Sequence, residues 1–195
     1  MKKLRILTIA LFCIAGSFAV NAQDWEIDYV HSSVTFSITH FFTPVAGRFE
    51  KFEGILTFNP DEPANSKINF TVTVESVNTD QERRDKDLVS DNFFDAQTYP
   101  SMRFVSSKVE KLEGNNYNAH GKLTIKDVTK DVVIPFTILG RGDHPMKKGS
   151  EIMGLKAEFK LNRNDYNVGK GNWAATAVVG NEVSAIVSLE ASKKK

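Results

Sequence analysis

The sequence is short of the residues from which most enzyme and metal chemistry is assembled. It holds one cysteine, Cys13, among 195 residues, which excludes a disulfide-stapled scaffold and a cysteine-built metal site. Its four histidines, His31, His40, His120 and His144, fall in no HxH or HExxH spacing, so no zinc motif is present. A G-x-S-x-G nucleophile elbow is also missing. Asp28, His31 and Ser32 contain the residue types of a hydrolytic triad, but adjacent residues on a strand face opposite ways and cannot share a reacting atom. No catalytic residue and no metal ligand is therefore assigned. Internal repeats, low-complexity tracts and linkers are absent as well, which argues for one folded domain.

Long apolar runs are equally scarce, with one exception at the start. Lys2, Lys3 and Arg5 precede an apolar stretch from Ile6 to Val20, and Val20-Asn21-Ala22 leads into Gln23-Asp24. That is the basic region, apolar region and small-residue cleavage site of a secretory signal. The stretch is interrupted by Gly16 and Ser17 and falls short of the ~20 residues that span a bilayer. Phe12, just before Cys13, does not fit a lipid-attachment site. The expectation is a signal peptide over residues 1–22 and one exported domain over 23–195, periplasmic or extracellular, without a transmembrane segment. Removal of 1–22 takes three basic residues and no acid, so 25 Lys+Arg against 24 Asp+Glu becomes 22 against 24. That balance excludes a nucleic-acid binder. Lys193-Lys194-Lys195 reads as a solvated tail.

What the mature segment does have is period-two alternation, the pattern of half-buried strands. Val34, Phe36, Ile38 and His40 alternate with Ser33, Thr35, Ser37 and Thr39; Ile68, Phe70, Val72 and Val74 alternate with polar neighbours. The pattern returns at 119–125, 132–138, 153–161 and 183–189. With Gly47–Phe58 and Ser101–Leu112 it predicts about eight strands, separated by turn signals such as Asn59-Pro60-Asp61 and Gly114-Asn115-Asn116. One segment departs: Thr79 as N-cap with Glu82 three residues on predicts a short surface helix running to Leu88. Arg83-Arg84-Asp85 then reads as solvated charge and ion pairing on that helix. Asn164–Ala177 is the longest stretch without a period.

Eight antiparallel strands with one apolar face hide it against a second sheet or by closing into a barrel. Phenylalanines 36, 49, 70, 104, 136 and 159 recur on the apolar faces of six strands. Such rings serve equally to fill an interior or to line a cavity.

The run Asp28-Tyr29-Val30-His31-Ser32-Ser33-Val34-Thr35-Phe36 opens a longer set: Gly47-Arg48-Phe49, Phe52-Glu53-Gly54, Ser76-Val77-Asn78-Thr79, Arg84-Asp85 and Phe93-Phe94-Asp95. Tyr99-Pro100, Gly121-Lys122-Leu123-Thr124-Ile125, Asn162-Arg163-Asn164-Asp165-Tyr166 and Gly180-Asn181-Glu182-Val183 complete it. In this order and spacing the mature chain resembles the YceI-like lipid-binding family. Asp127 stands where that pattern leads one to expect glycine, and Asp87 and Val89 replace basic residues flanking Leu88. The resemblance implies an all-β, lipocalin-like, extended eight-stranded antiparallel barrel with a helical insertion between strands three and four. It also implies a non-enzymatic exported protein with no required cofactor, holding a polyisoprenoid or quinone-like lipid in an apolar channel. Phe36, Phe70, Phe104, Leu123, Ile134, Phe136 and Phe159 are the expected contacts for the tail, and Phe93, Phe94, Tyr99 and Trp173 for the mouth. A homodimer stays open. The alternatives are a barrel packed with its own side chains and an enzyme acting on a lipid head group through His40 or Arg84-Asp85.

Overall fold

The computed structural model describes residues 24–195; the segment read as a signal peptide lies outside the described residues. Eleven strand segments form: β1 (Asp24–Ile27), β2 (Ser33–His40), β3 (Thr43–Phe49), β4 (Phe52–Thr57), β5 (Lys67–Thr73) and β6 (Val77–Asn78), then β7 (Ser101–Lys111), β8 (Asn116–Ile125), β9 (Val128–Asp143), β10 (Ser150–Asn162) and β11 (Val179–Lys194). β1 and β2 both lie along β11, with Ile27 opposite Ala191 and Ser33 opposite Ser188. They are two halves of one barrel strand. β4 and β3 pair with these halves in turn, Leu56 opposite Trp25 and Phe49 opposite Val34. Counted this way the sheet is a closed antiparallel barrel of eight strands, as the alternation predicts; β1 is the addition that the sequence reading lacked. Closure removes the unpaired edges that an open sheet would expose.

The break in the first strand has a local cause. Asp28 Oδ1 accepts from the Val30 and His31 backbone N–H groups at 2.9 and 3.3 Å, Asp28 Oδ2 lies 2.9 Å from His31 Nδ1, and the Glu190 N–H donates to Ser32 Oγ at 3.0 Å. The hydrogen bond with His31 holds the Asp28 carboxyl below its ordinary range, and Asp28, then Glu190, raises the His31 pKa. Asp28, His31 and Glu190 are the one converging set of three metal-ligating types among the described residues, and they sit at this break, outside the cavity wall.

Inside, three phenylalanines lie over glycines of neighbouring strands. Phe36 opposes Gly47 and Phe70 opposes Gly54 in register. A Cβ at Gly47 would stand 2.4 Å from the tip of the Phe36 ring, and one at Gly54 2.8 Å from the Phe70 ring. Phe104 covers Gly121 in the same way, at 2.8 Å. Each ring takes the place of a missing side chain and runs along the wall, not across the lumen.

One end of the barrel is plugged. Phe58, Tyr117 and Phe136 pack with ring centroids 5.2–5.7 Å apart, with Val109 and Met153 fully buried beside them and Trp25 Nε1 donating to the Phe58 carbonyl at 2.8 Å. The terminal lysines belong to this end and are not a free tail. β11 runs to Lys194, and Lys193 sits 4.7 Å above the Trp25 ring and 3.6 Å from Glu151. No helix among the described residues is long and apolar enough to cross a membrane.

Gly121→Ala meets backbone, the Val105 carbonyl at 2.3 Å, and is expected to cost about 3 kcal/mol in urea denaturation; Gly47→Ala meets a ring that can swing into the lumen and costs about 1 kcal/mol. His31 has its pKa raised above 6.5, so its stabilising contribution is complete below that value and fades as pH rises through the raised one. Melting curves of His31→Gln should lose this pH dependence, which would persist if the ring played no part.

Candidate functional site

The unplugged part of the barrel contains a cavity of about 240 Å³ whose wall is apolar throughout. Inward positions of every long strand contribute: Val34, Phe36 and Ile38 from β2, Phe70 and Val72 from β5, Met102 and Phe104 from β7, Ala119, Leu123 and Ile125 from β8. Ile134 and Phe136 follow from β9, Leu155, Ala157, Phe159 and Leu161 from β10, and Val183, Ala185, Val187 and Leu189 from β11. From Val179 to Leu189 the lining spans eleven residues of β11; ten steps of ~3.3 Å at a ~40° tilt make roughly 25 Å of barrel axis. The space is slender and suits one extended chain.

The roof comes from the helical insertion. Helix α1 (Glu82–Val89) is capped by Gln81, whose side chain accepts from the Arg84 N–H at 2.5 Å. This corrects the expected Thr79 cap. Thr79 is instead the anchor of the whole helix: its N–H and hydroxyl reach Asp85 Oδ1 at 2.9 and 2.5 Å, and Arg84 donates to its hydroxyl and carbonyl at 2.7 and 2.6 Å. Gln81 takes the Arg84 N–H of the first turn, and the Thr79 hydroxyl, two residues before the cap, is occupied by Asp85 and the Arg84 guanidinium. Arg84 and Asp85 are thereby committed to folding, and Lys86 pairs with Glu82 at 2.6 Å. The helix presents Leu88 to the cavity, and the turn after it supplies Phe93 and Phe94.

Two cations lock the roof to the barrel rim. Lys126 Nζ donates to the carbonyls of Phe93 and Asn167 at 2.8 and 2.9 Å, tying the insertion to the 3-10 turn after β10. Lys126 takes φ = 55°, so the left-handed residue of the β8–β9 turn is Lys126 and not Asp127, and it is the residue whose side chain makes these two hydrogen bonds. Burial, and then Lys170, lowers its pKa. Arg163, 3% exposed, donates to the Gly180, Val168 and Val179 carbonyls at 2.7–2.8 Å. Burial lowers its pKa, and burial followed by Asp165 raises that of Tyr166. The charged ends of both cations are bound to these carbonyls, and Arg163 borders the cavity together with Thr35, Arg103 and Tyr166 without exposing a polar atom to it.

Phe36, Phe70, Phe104, Leu123, Ile134, Phe136, Phe159, Phe93 and Phe94 all line this space. Tyr99 and Trp173 do not. Tyr99 lies 6.0 Å beneath Lys126 Nζ, and Trp173 packs on Phe93 from outside at 5.5 Å, 37% exposed. The sequence reading favoured rings and left out smaller residues of the same parity, Val34, Ile38, Ala185 and Val187. It also gave no role to Arg163 and Tyr166, whose polar surroundings hide a place in the wall. His40 lies beyond the rim, exposed, edge-on to Phe41 at 4.6 Å.

Replacing Arg163 by Met leaves three rim carbonyls without their donor. The expected loss is about 3 kcal/mol, read by denaturation, with faster amide exchange over 163–180 than over β7 and β8.

The YceI-like domain family matches residues 25–191. The protein YceI of Escherichia coli O157:H7 is 34% identical over 197 residues, an alignment covering 100% of this chain and 99% of that one. Among solved structures, Burkholderia cenocepacia BcnA superposes with a TM-score of 0.77 at 29% identity, over 85% of this chain and 99% of its own. A polyisoprenoid binding domain from Saccharophagus degradans has the same fold, with a TM-score of 0.63 at 13% identity over 88% and 98% of the two chains.

Proposed function

The chain belongs to the YceI-like family, and on that basis we propose that it is an exported, non-enzymatic carrier that shields one long apolar chain of the isoprenoid or quinone-tail type. The observation that carries this reading is the lumen itself: a self-packed barrel would have its rings across the axis, whereas Phe36, Phe70 and Phe104 lie along the wall and leave about 240 Å³ open. A dry cavity of about 150 Å³ already admits benzene. The Saccharophagus degradans domain, named for polyisoprenoid binding, has the same architecture.

The energetics suit a branched hydrocarbon. Burial gains ~0.8 kcal/mol per CH₂, so one five-carbon isoprene unit contributes roughly 3–4 kcal/mol before the cost of association. Three units give roughly 10 kcal/mol gross, enough for micromolar affinity after part of that is lost. One chain encloses the whole cavity, so a homodimer is not required. Export matches the cargo: long isoprenoids do not cross an aqueous compartment unaided, and a soluble barrel in the periplasm supplies a dry path. Arg84 and Asp85 hydrogen-bond Thr79 in holding α1, and this engagement favours the carrier over a head-group enzyme that would use them.

Organic extraction of protein purified from its native host, followed by mass spectrometry, should yield a stoichiometric apolar lipid. Ala185→Trp, placing a ring across the bore between Phe36 and Phe159, should abolish that yield while the protein stays folded. Protein that is empty from its host and takes up no polyprenyl lipid would overturn the reading.

A further inference from the structure

The turn between β2 and β3 places two phenylalanines where neither is buried. His40 pairs with Thr43, so Phe41 and Phe42 are the two turn residues. Phe42 is 98% exposed and Phe41 56%. Phe41 takes φ = 51° while Phe42 stays out of the left-handed region; this is the pattern of a type II′ turn, whose first position ordinarily holds glycine. Among the described residues five non-glycines have positive φ: Phe41, Asp80, Asp95, Lys126 and Asn167. Aspartate and asparagine tolerate this conformation, and the Lys126 side chain makes two hydrogen bonds to carbonyls. Phe41 has only the edge of His40 and one backbone hydrogen bond, to Val178 at 2.8 Å. A bulky residue in a conformation it disfavours, next to a ring left in water, has no folding rationale and points to function.

The position supplies one. The tip stands at the unplugged end of the barrel, beside Val178 and the start of β11, and Ile38 of the same strand already lines the cavity. Trp173, half-exposed over Phe93, is on the same end. We propose that the Phe41-Phe42 tip inserts into the hydrocarbon boundary of a lipid bilayer and sets the cavity mouth against the membrane from which an apolar chain is taken; this rests on the carrier reading above. A protein partner fits less well. Two rings bury about 150–250 Å² each, far below the ~1,200 Å² that a stable protein interface needs, whereas fluid hydrocarbon requires no complementary surface. No cluster of basic residues surrounds the tip sequence Ile38-Thr39-His40-Phe41-Phe42-Thr43-Pro44, so the attachment is apolar and not electrostatic.

The test compares the wild-type protein with Phe41→Gly/Phe42→Ser. Glycine suits the turn, so the variant should melt no lower than wild type, and lost function cannot be ascribed to misfolding. Wild type should float with phosphatidylcholine vesicles at low and high salt alike, and the variant should bind them about tenfold more weakly or less still. Transfer of N-phenyl-1-naphthylamine from loaded vesicles should slow in proportion, while equilibrium binding of the same dye from solution stays unchanged. Equal vesicle binding by both proteins overturns the proposal, as does binding confined to anionic vesicles and removed by salt. A concentration-dependent dimer that disappears in the variant overturns it too, by showing the tip to be a protein contact. Wild type that floats but takes up no dye from solution would leave the tip standing and remove the carrier reading.

Discussion

A barrel of eight strands must do something with the side chains that point inward, and here glycines on neighbouring strands decide the outcome. Each of Gly47, Gly54 and Gly121 leaves a shelf that a phenylalanine ring occupies. Had those positions carried side chains, Phe36, Phe70 and Phe104 would have turned toward the axis and met, and the interior would be an ordinary core. The ring over a glycine serves two purposes at once. It restores the cross-strand packing that glycine lacks, and it leaves the axis free.

The two ends of the barrel solve opposite problems. At one end Phe58, Tyr117, Phe136 and Met153 fill the bore, and their burial supplies a conventional core. At the other, an apolar space must be roofed without being filled, so the roof cannot be held by packing alone. Hydrogen bonds from Lys126 and Arg163 to five rim carbonyls do this instead. Among the described residues, neither cation has a carboxylate within salt-bridge distance. Backbone carbonyls satisfy their donors at fixed geometry, and a charged donor makes such bonds stronger than neutral ones. The stability of the plug permits the emptiness above it.

Much of this is legible in the sequence because period-two alternation is insensitive to context: the barrel strands and the inward parity of Phe36, Phe70, Phe104, Leu123, Ile134, Phe136 and Phe159 follow from it, while the short helix between the third and fourth strands shows as the break in that pattern. The order of blocks from Asp28 to Val183 identified the family. What escaped depends on contacts distant in the chain. β1 is four residues long and is a strand only because β11 and β4 flank it. Thr79 carries the signature of a cap, and only the competing Asp85 and Arg84 groups displace it from that role. Trp173 stands outside the cavity wall, against Phe93, because the 3-10 turn at Gly171–Ala174 carries it there, and that turn has no period in the sequence. Open space, finally, has no residue of its own; it is the difference between ring volume and the room that paired glycines provide.

The character of the wall also dictates how a ligand lies. A hydroxyl or carbonyl taken into this cavity would leave water and find no donor or acceptor, at a cost of roughly 2–7 kcal/mol. That is comparable to what one or two isoprene units gain on burial. A molecule with one polar end would therefore enter tail first and keep that end at the rim, in water. The floor at Leu56, Ala119 and Leu155 then limits how much tail is covered. Such a cavity would discriminate by the length and width of the chain, set by the plug and by the bore that the shelved rings define.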